Sequence, residues 1–551
     1  MTDRSTLTRR ETMAGAAALA LAPATARASD RATGIVYEMV AGARRGVPDV
    51  AVSNGSDVVR TDGQGRYGLD VADGDIVFVV KPPGYALPRD ENNIPRFSYI
   101  HQPKGTPPDL RLRYRGIDPT GPLPASIDFA LTREAEPDAF DVVLFTDPQP
   151  ESPVELCHVR DTAVTRVLGT KAAFGMTTGD ILFDDLSFYG RSNRIMGRIG
   201  IPWFHIGGNH DLNFEAPDAR HSRETFKRVY GAPYYAFHHG KALFLMLDTV
   251  NYLGAASGAD GVGRYEGRIG ERQLGFIANM LAQTPKDSLV VIAMHIPLYT
   301  DLNPDDPRQN VMDRERLLDL LGDRPVLSLA GHTHTTEHHY PRADGAGRHH
   351  HHVLTAVSGS WWSGPSTRTG IPSADSRDGT PNGFHVLSVD GNGYTTRYRP
   401  AQGEPDEAMR IVLESQYRGG VAEVLRDYRP MQTLRSPVPR ESLAATNLVV
   451  NVFDGGPRTR VRYRIDGSEP VEMVRTRRPD PFVGEVFQRY AETKKPWVKA
   501  EPSSHVWVAR LGGDITSGIH RITVDVQDEY SRPLSSGILL EVTSEEGASK
   551  G

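Results

Sequence analysis

The stretch Gly207-Gly208-Asn209-His210-Asp211 leaves the apolar run Ile201-Pro202-Trp203-Phe204-His205-Ile206, a pattern that puts a tight polar turn at the end of a buried strand. Paired glycines let the backbone turn sharply, and the turn presents an amide oxygen, an imidazole and a carboxylate side by side. Four further polar groups each follow a short apolar run: Asp147-Pro148-Gln149, Gly179-Asp180, His295 in Met294-His295-Ile296-Pro297, and Gly331-His332-Thr333-His334. Around them, apolar strands at 142–145, 175–178, 201–206, 242–247, 289–294 and 326–330 alternate with helical segments near 153–173, 186–199, 270–283 and 311–321. This alternation predicts α/β layers with buried strands. Open sheets of that kind collect ligands at the carboxyl ends of their strands, where these polar groups fall.

Aspartate and glutamine supply oxygen, asparagine a carbonyl oxygen and histidine a neutral nitrogen, a donor mix suited to borderline divalent ions rather than calcium or an iron-sulfur cluster. In its order, the set resembles the calcineurin-like metallophosphoesterase superfamily, whose pattern reads D-x-H, GD, GNHD or GNHE, a lone H, then GHxH. The resemblance spans roughly residues 141–396, and one position departs from it: Gln149 stands where the family usually has histidine.

The resemblance implies an α/β (α+β) fold, a four-layer sandwich of two mixed sheets between helices, here over residues 134–400. It also implies a binuclear centre. Asp147, Gln149, Asp180 and His334 would hold one divalent ion, and Asp180, Asn209, His295 and His332 the other, with Asp180 bridging. Ions sharing a carboxylate lie about 3.5–4 Å apart and hold a hydroxide between them as the attacking group. Counting two divalent cations against Asp147, Asp180 and that hydroxide leaves the centre near plus one, attractive to a phosphate ester. His210 would protonate the departing alkoxide, with Asp211 orienting its ring. The two ions would be manganese, iron, zinc or magnesium; an amide oxygen is a poorer donor than imidazole for zinc, so Gln149 predicts a weaker first position or a harder ion such as manganese, iron or magnesium there.

At 551 residues the chain is too long for one hydrophobic core. A formal net charge of -6 argues against a nucleic-acid binder held by a basic field. The single cysteine, Cys157, excludes an intramolecular disulfide framework. At the amino terminus Arg9-Arg10, the alanine-rich run 13–22 and Ala26-Arg27-Ala28 resemble a twin-arginine export signal over residues 1–30. The run is too short to anchor in a bilayer and no later stretch is long and apolar enough to span one, so the expectation is a soluble periplasmic or secreted protein. Residues 31–133 carry short β-prone runs separated by Asn54-Gly55, Asp62-Gly63 and Ala72-Asp73-Gly74, and resemble a transthyretin-like sandwich. The β signals return over 405–545, predicting a second flanking sandwich whose last clear run, 518–526, ends before a polar tail.

Weaker features remain. Asp184 and Asp185 are either acceptors behind the site or a solvated helix start. Trp361-Trp362 either wall a pocket or pack in a core. Asp378-Gly379-Thr380-Pro381-Asn382-Gly383 resembles a loop of the family subgroup that carries both flanking β domains. The run His349-His350-His351-His352 borders a predicted strand, so alternate residues face opposite ways, and the expectation there is adventitious metal binding at the surface. Alternation in Arg460-Val461-Arg462-Tyr463-Arg464-Ile465 puts three arginines on one, solvated, face. Two functions follow: an exported binuclear phosphoesterase acting on small-molecule or envelope-derived phosphomono- or phosphodiesters, or a non-catalytic envelope or glycan-binding protein with a degenerate core.

Overall fold

The computed structural model describes residues 30–258, 263–341, 348–416 and 438–544; the expected export signal lies outside them. Two sheets occupy the middle of the chain. One has the order Trp203–Ile206, Phe174–Thr178, Ala139–Phe145, Gly383–Asp390, Gly393–Pro400, and the first three strands run parallel. The other has the order Tyr235–His239, Ala242–Met246, Val290–Ala293, Val326–Ala330, His349–Val353, Glu337–His339, parallel through its four inner strands. Parallel strands covered on both faces read as unbroken apolar runs. Ala242–Met246 and Val290–Ala293 are accordingly buried at every position.

Helices lie between the strands in sequence. Ser152 caps Pro153–Val159 by accepting from the Glu155 N–H, and that helix continues through a π-helical segment, Arg160–Val164, to Thr165–Val167. The expected helix at 186–199 is an α-helix, Tyr189–Met196, flanked by short 3-10 turns. Three α-helices among the described residues escape the sequence reading, Glu224–Tyr230, Pro481–Arg489 and the single turn Arg440–Leu443. The second did carry a start signal, since Asp480 caps it and proline opens it.

The amino-terminal residues form a five-stranded and a four-stranded sheet. Their core runs without a break into that of the central sheets. Phe78 meets Phe276 edge-on at 5.5 Å and Phe97 meets Tyr235 at 4.6 Å. Lys81 forms a parallel bridge to Phe237 on the outer strand, with its ammonium buried against Glu136 and the His238 carbonyl. An open sheet edge templates unwanted pairing. Here that edge is covered.

Two more sheets, of four and five strands, follow the central pair and enclose a core of their own. The loop 378–383 docks on them: Asp378 accepts from His505 Nε2 at 3.0 Å, and the Asn451 amide donates to the Asp378 carbonyl at 3.0 Å. Buried Arg410 pairs with Asp375 at 2.9 Å and Asp480 at 3.1 Å. Where the sequence predicts a polar tail, Pro533–Thr543 is a strand paired along its whole length with Gly518–Gln527. Its outer face is solvated, and the polar residues there mask the period. Along Arg460–Ile465 the alternation is as expected, and Glu472 and Asp525 balance Arg462 and Arg464.

The histidine run is not at the surface. His349–Val353 is an inner strand and all four histidines are buried. Alternation sends His349 and His351 to the Ser328 hydroxyl, at 2.7 and 2.8 Å, and sends His350 and His352 to stack beside His338. The expectation of adventitious surface binding is thereby overturned, because an inner parallel strand is covered on both faces whatever its composition.

His205, in the strand Trp203–Ile206, is buried against Tyr230 at 4.5 Å, and burial pushes its pKa down from 6.5 to about 3. The folded protein therefore keeps this ring neutral while the unfolded chain takes up a proton near pH 6.5. Stability contributed by the neutral ring is complete above that pH and falls as pH drops toward about 3, at about 1.4 kcal/mol per pH unit. Urea unfolding from pH 7 to pH 4.5 should show a smaller acid loss for His205→Phe than for the parent; identical slopes would refute a neutral native ring.

Candidate metal centre

The strands Ala139–Phe145, Phe174–Thr178, Trp203–Ile206, Val290–Ala293 and Val326–Ala330 lead at their carboxyl ends into the five motif loops. Those loops crowd together. A Cβ on Gly208 would fall 2.1 Å from Asp180 Oδ1, one on Gly331 2.2 Å from Asp147 Oδ2, and one on Gly179 2.5 Å from the His295 ring. The motif glycines at 208 and 331 thus serve close approach rather than backbone freedom. Left-handed backbone falls instead on Asp147, Gln149, Asp180, His332 and His334, with φ of 47, 43, 48, 76 and 52°. Non-glycine residues in that region are strained by about 1–3 kcal/mol each and cluster at functional sites.

The structure brings Asp180, Asn209, His295 and His332 together. His295 Nδ1 faces the Thr178 carbonyl at 3.0 Å and His332 Nε2 the Arg308 carbonyl at 2.8 Å. A carbonyl only accepts, so these nitrogens carry the protons of the neutral rings. The other two, His295 Nε2 and His332 Nδ1, are then bare lone pairs 3.2 Å apart. Asn209 Oδ1 lies 3.0 Å and Asp180 Oδ2 3.2 Å from His295 Nε2. Four acceptors converge with no donor among them. Such a cluster needs a positive charge at its centre, from a proton or a metal ion. As a protein-only site it resolves the conflict with a proton: burial works against charge on both rings, but Asp180 raises His295 to about 8 while His332 is pushed to about 3. The residues fit a divalent cation.

Asp147 and His334 sit beside this group. His334 Nδ1 donates to the Gly359 carbonyl, which leaves Nε2 bare, 3.6 Å from Asp147 Oδ1. Asp147 accepts from the His332 N–H and the Thr146 hydroxyl. Gln149 is turned the other way from what its expected role requires. Its Nε2 donates to Asp180 Oδ2 at 3.0 Å, and its Oε1 accepts from the Trp361 indole at 2.7 Å. An indole N–H can only donate, which fixes the amide orientation. This corrects the expectation of a Gln149 oxygen aimed into the centre: the NH2 group faces it instead. Trp361 is buried and stacks on the His334 ring at 4.1 Å, so it packs a core and abuts the site at once.

His210 is partly buried beside the cluster, its backbone N–H donating to Asp180 Oδ1 at 2.9 Å. Its ring partner is not Asp211. Nδ1 meets Asp184 Oδ1 at 2.7 Å, whereas Asp211 is buried beneath the loop. There Asp211 accepts from the Gly208 and Ile181 N–H groups at 2.9 and 3.0 Å and from the Tyr189 hydroxyl at 2.9 Å. Adjacent residues in a tight turn point apart, so adjacency misled here, and Asp184 is four residues from Asp180 in sequence. Burial opposes charge on His210, but Asp180 and Asp184 outweigh it and raise the ring to about 9. Arg223, which the sequence reading passed over, holds the loop from below, donating to the carbonyls of Gly207, Gly208 and Asp211 and pairing with Asp248. On the open side the His210 ring stacks on Phe183 at 4.5 Å and Phe183 on Trp497 at 6.0 Å.

The class of protein that such a fold and donor set define is a metal-dependent phosphoesterase. Family models described as calcineurin-like phosphoesterase, its N-terminal and its C-terminal portion match residues 158–336, 35–113 and 351–533. The chain belongs to the calcineurin-like phosphoesterase family. No curated protein matches its sequence. Solved structures similar to it include a dimetal phosphatase from Danio rerio, 16% identical over 47% of this chain and 98% of that one, with a TM-score of 0.30. Another is the purple acid phosphatase PPD1 from yellow lupin (Lupinus luteus) seeds, 13% identical over 65% and 68% of the two chains, with a TM-score of 0.34.

If the Trp361 bond is what turns Gln149, then Trp361→Phe should release the amide to present its oxygen. Manganese binding at the Asp147 and His334 position should tighten by up to about tenfold, the worth of one hydrogen bond. Chelator-competition titration measures this, and unchanged affinity would show that the indole does not set the amide.

Proposed function

We propose that this chain is an exported hydrolase of phosphomono- or phosphodiesters that works with two divalent ions. The observation that carries the reading is the convergence of Asp180 Oδ2, Asn209 Oδ1, His295 Nε2 and His332 Nδ1 with no donor among them. Asp180, Asn209, His295 and His332 would hold one ion. Asp147, Asp180 and His334 would hold the other, with Gln149 completing it only by breaking its bond to Trp361. Bound there, the ions would polarise the phosphoryl group and supply a nucleophile from water at neutral pH. Manganese, iron or magnesium suits the oxygen-rich first position better than zinc.

The chain's own residues do the rest. Asp184 fixes one ring nitrogen of His210, which leaves the other to serve a departing group. With Asp180 occupied by cations, Asp184 and, more weakly, Asp211 are the anions that still favour the protonated ring. His210 is therefore the proton donor, and Asp184 replaces Asp211 as its positioning partner. Asp211 and Arg223 keep the 207–211 loop in place. The alternative, a binding protein with a degenerate core, gives no reason for four acceptors from four separate loops to face one another with only the Gln149 amide donating to one of them.

The assay is hydrolysis of paired alkyl and p-nitrophenyl phosphates, as mono- and diesters, by metal-stripped protein refilled with each ion. Asp180→Asn should abolish turnover of all of them. His210→Ala should lower alkyl-ester turnover by about 10²–10⁴-fold and p-nitrophenyl turnover far less, because nitrophenolate leaves without a proton. Equal losses on both would remove His210 as the acid, and no hydrolysis with any ion would favour the binding protein.

Export rests on Arg9-Arg10, the apolar run after it and Ala26-Arg27-Ala28. Replacing Arg9-Arg10 by a lysine pair should hold a fusion of residues 1–30 to a folded reporter in the cytoplasm. Unimpaired export of the lysine variant would count against the twin-arginine route.

A further inference from the structure

Four of the five tryptophans are buried, and the fifth, Trp497, is half-exposed. Its backbone is firmly seated. The next residue, Val498, is buried with Trp361 and with Phe482, Val483, Val486 and Phe487 of the helix Pro481–Arg489, and Phe183 packs against that group. The Lys494 ammonium closes the turn by donating to the Val498 carbonyl at 2.7 Å. Lys495 pairs with Glu151, just beyond Gln149, and its backbone N–H donates to Ser363 Oγ at 3.3 Å, just beyond Trp361. The indole is thus held in place by segments that border the metal centre, with one part of it left to water.

Rings run without a break from one site residue to another. His210 stacks on Phe183 at 4.5 Å with 26° between the planes, and Phe183 on Trp497 at 6.0 Å with 16°. Trp497 meets Trp361 edge-on at 5.7 Å, and Trp361 stacks on His334 at 4.1 Å. Trp497 is the member of this arc that gives most surface to solvent. Apolar surface left in water is a source of binding free energy, and an aromatic face recovers it best against another flat ring in an offset stack. Indole faces also take cations. Lys494, Lys495 and Lys499 flank the ring in sequence, which disfavours an ammonium group there.

We propose that Trp497 selects phosphate esters whose leaving alcohol carries a planar aromatic group, joined to the ester oxygen by a short spacer and stacked on the indole. The assignment rests on the reading of His210 as proton donor. The ester oxygen must reach that ring, so the leaving alcohol begins at the His210 end of the arc. Phe183 separates His210 from Trp497 in the stack, so a ring bonded directly to the ester oxygen stops short of the indole. A spacer of about the length of a propyl chain or a sugar ring bridges that layer. Trp497 touches no reacting atom; it determines specificity.

The test is calorimetric titration of the full chain, loaded with manganese, with 3-phenylpropylphosphonate and 3-cyclohexylpropylphosphonate, which differ only in the planarity of one ring. The phenyl compound should bind the parent about tenfold more tightly, the worth of one stacking contact. Trp497→Leu keeps apolar bulk without a π face and should erase the difference, whereas Trp497→Phe should retain most of it. Equal affinities in the parent, or a preference that survives in Trp497→Leu, would overturn the proposal. Methyl phosphate hydrolysis by the parent tests the phosphoesterase reading separately. Turnover of methyl phosphate without a phenyl preference defeats the Trp497 assignment alone; no turnover with any ion and no binding of either phosphonate defeats both. The kcat/KM ratio of adenosine 5′-monophosphate to ribose 5-phosphate repeats the comparison with a sugar spacer. A ratio above the phenyl preference assigns a nucleobase and one below it a simple aryl group, and both support the stack.

Discussion

Everything around the phosphoesterase centre is arranged to keep several electron-rich atoms closer together than they would stay unaided. Asp180 is the hub. Its carboxylate takes the His210 backbone N–H, the Gln149 amide and the neighbourhood of His295, while Gly208 packs against it too tightly for any side chain. Repulsion of this kind is tolerable only on rigid supports. All five loops leave buried strands, and three of them carry strain in left-handed backbone at the site residues themselves, Asp147, Gln149, Asp180, His332 and His334. Arg223 and Asp211 brace the underside, so that the backbone beneath the acceptors has its own hydrogen bonds satisfied.

The Gln149 and Trp361 pair shows how one position can be altered while the rest is kept. An imidazole at 149 would point a lone pair at the centre, whereas the amide has two unlike ends and a neighbour decides which end faces inward. Trp361 makes that decision with a group that can only donate. The orientation of Gln149 is therefore tied to a residue far along the chain, itself packed against the helix Pro481–Arg489 of the carboxy-terminal portion.

Much of this was legible in the sequence. Buried parallel strands announce themselves as apolar runs, and the polar residues that end them can be read off in order. The fold class and the gathering of Asp180, Asn209, His295 and His332 follow from that. What failed to show has physical reasons. Gln149 was read by composition, but its orientation depends on a contact with residue 361. Asp211 was read by adjacency to His210, yet a tight turn sends neighbouring side chains apart, and Asp184 took its place. Pro533–Thr543 hid its strand period behind a solvated face. Four consecutive histidines look like a surface tag; only the sheet order shows them to be an inner strand.

Trp497 has its ring 48% exposed, stacked on Phe183, which stacks in turn on His210. Its segment belongs to the carboxy-terminal portion, yet its ring forms the outermost layer beside His210. Two regions of the chain with separate cores therefore share one rim. Sequence drift in the later region can reshape what the earlier one admits while leaving every motif loop untouched, so chains with the same five motifs can differ in the esters they accept.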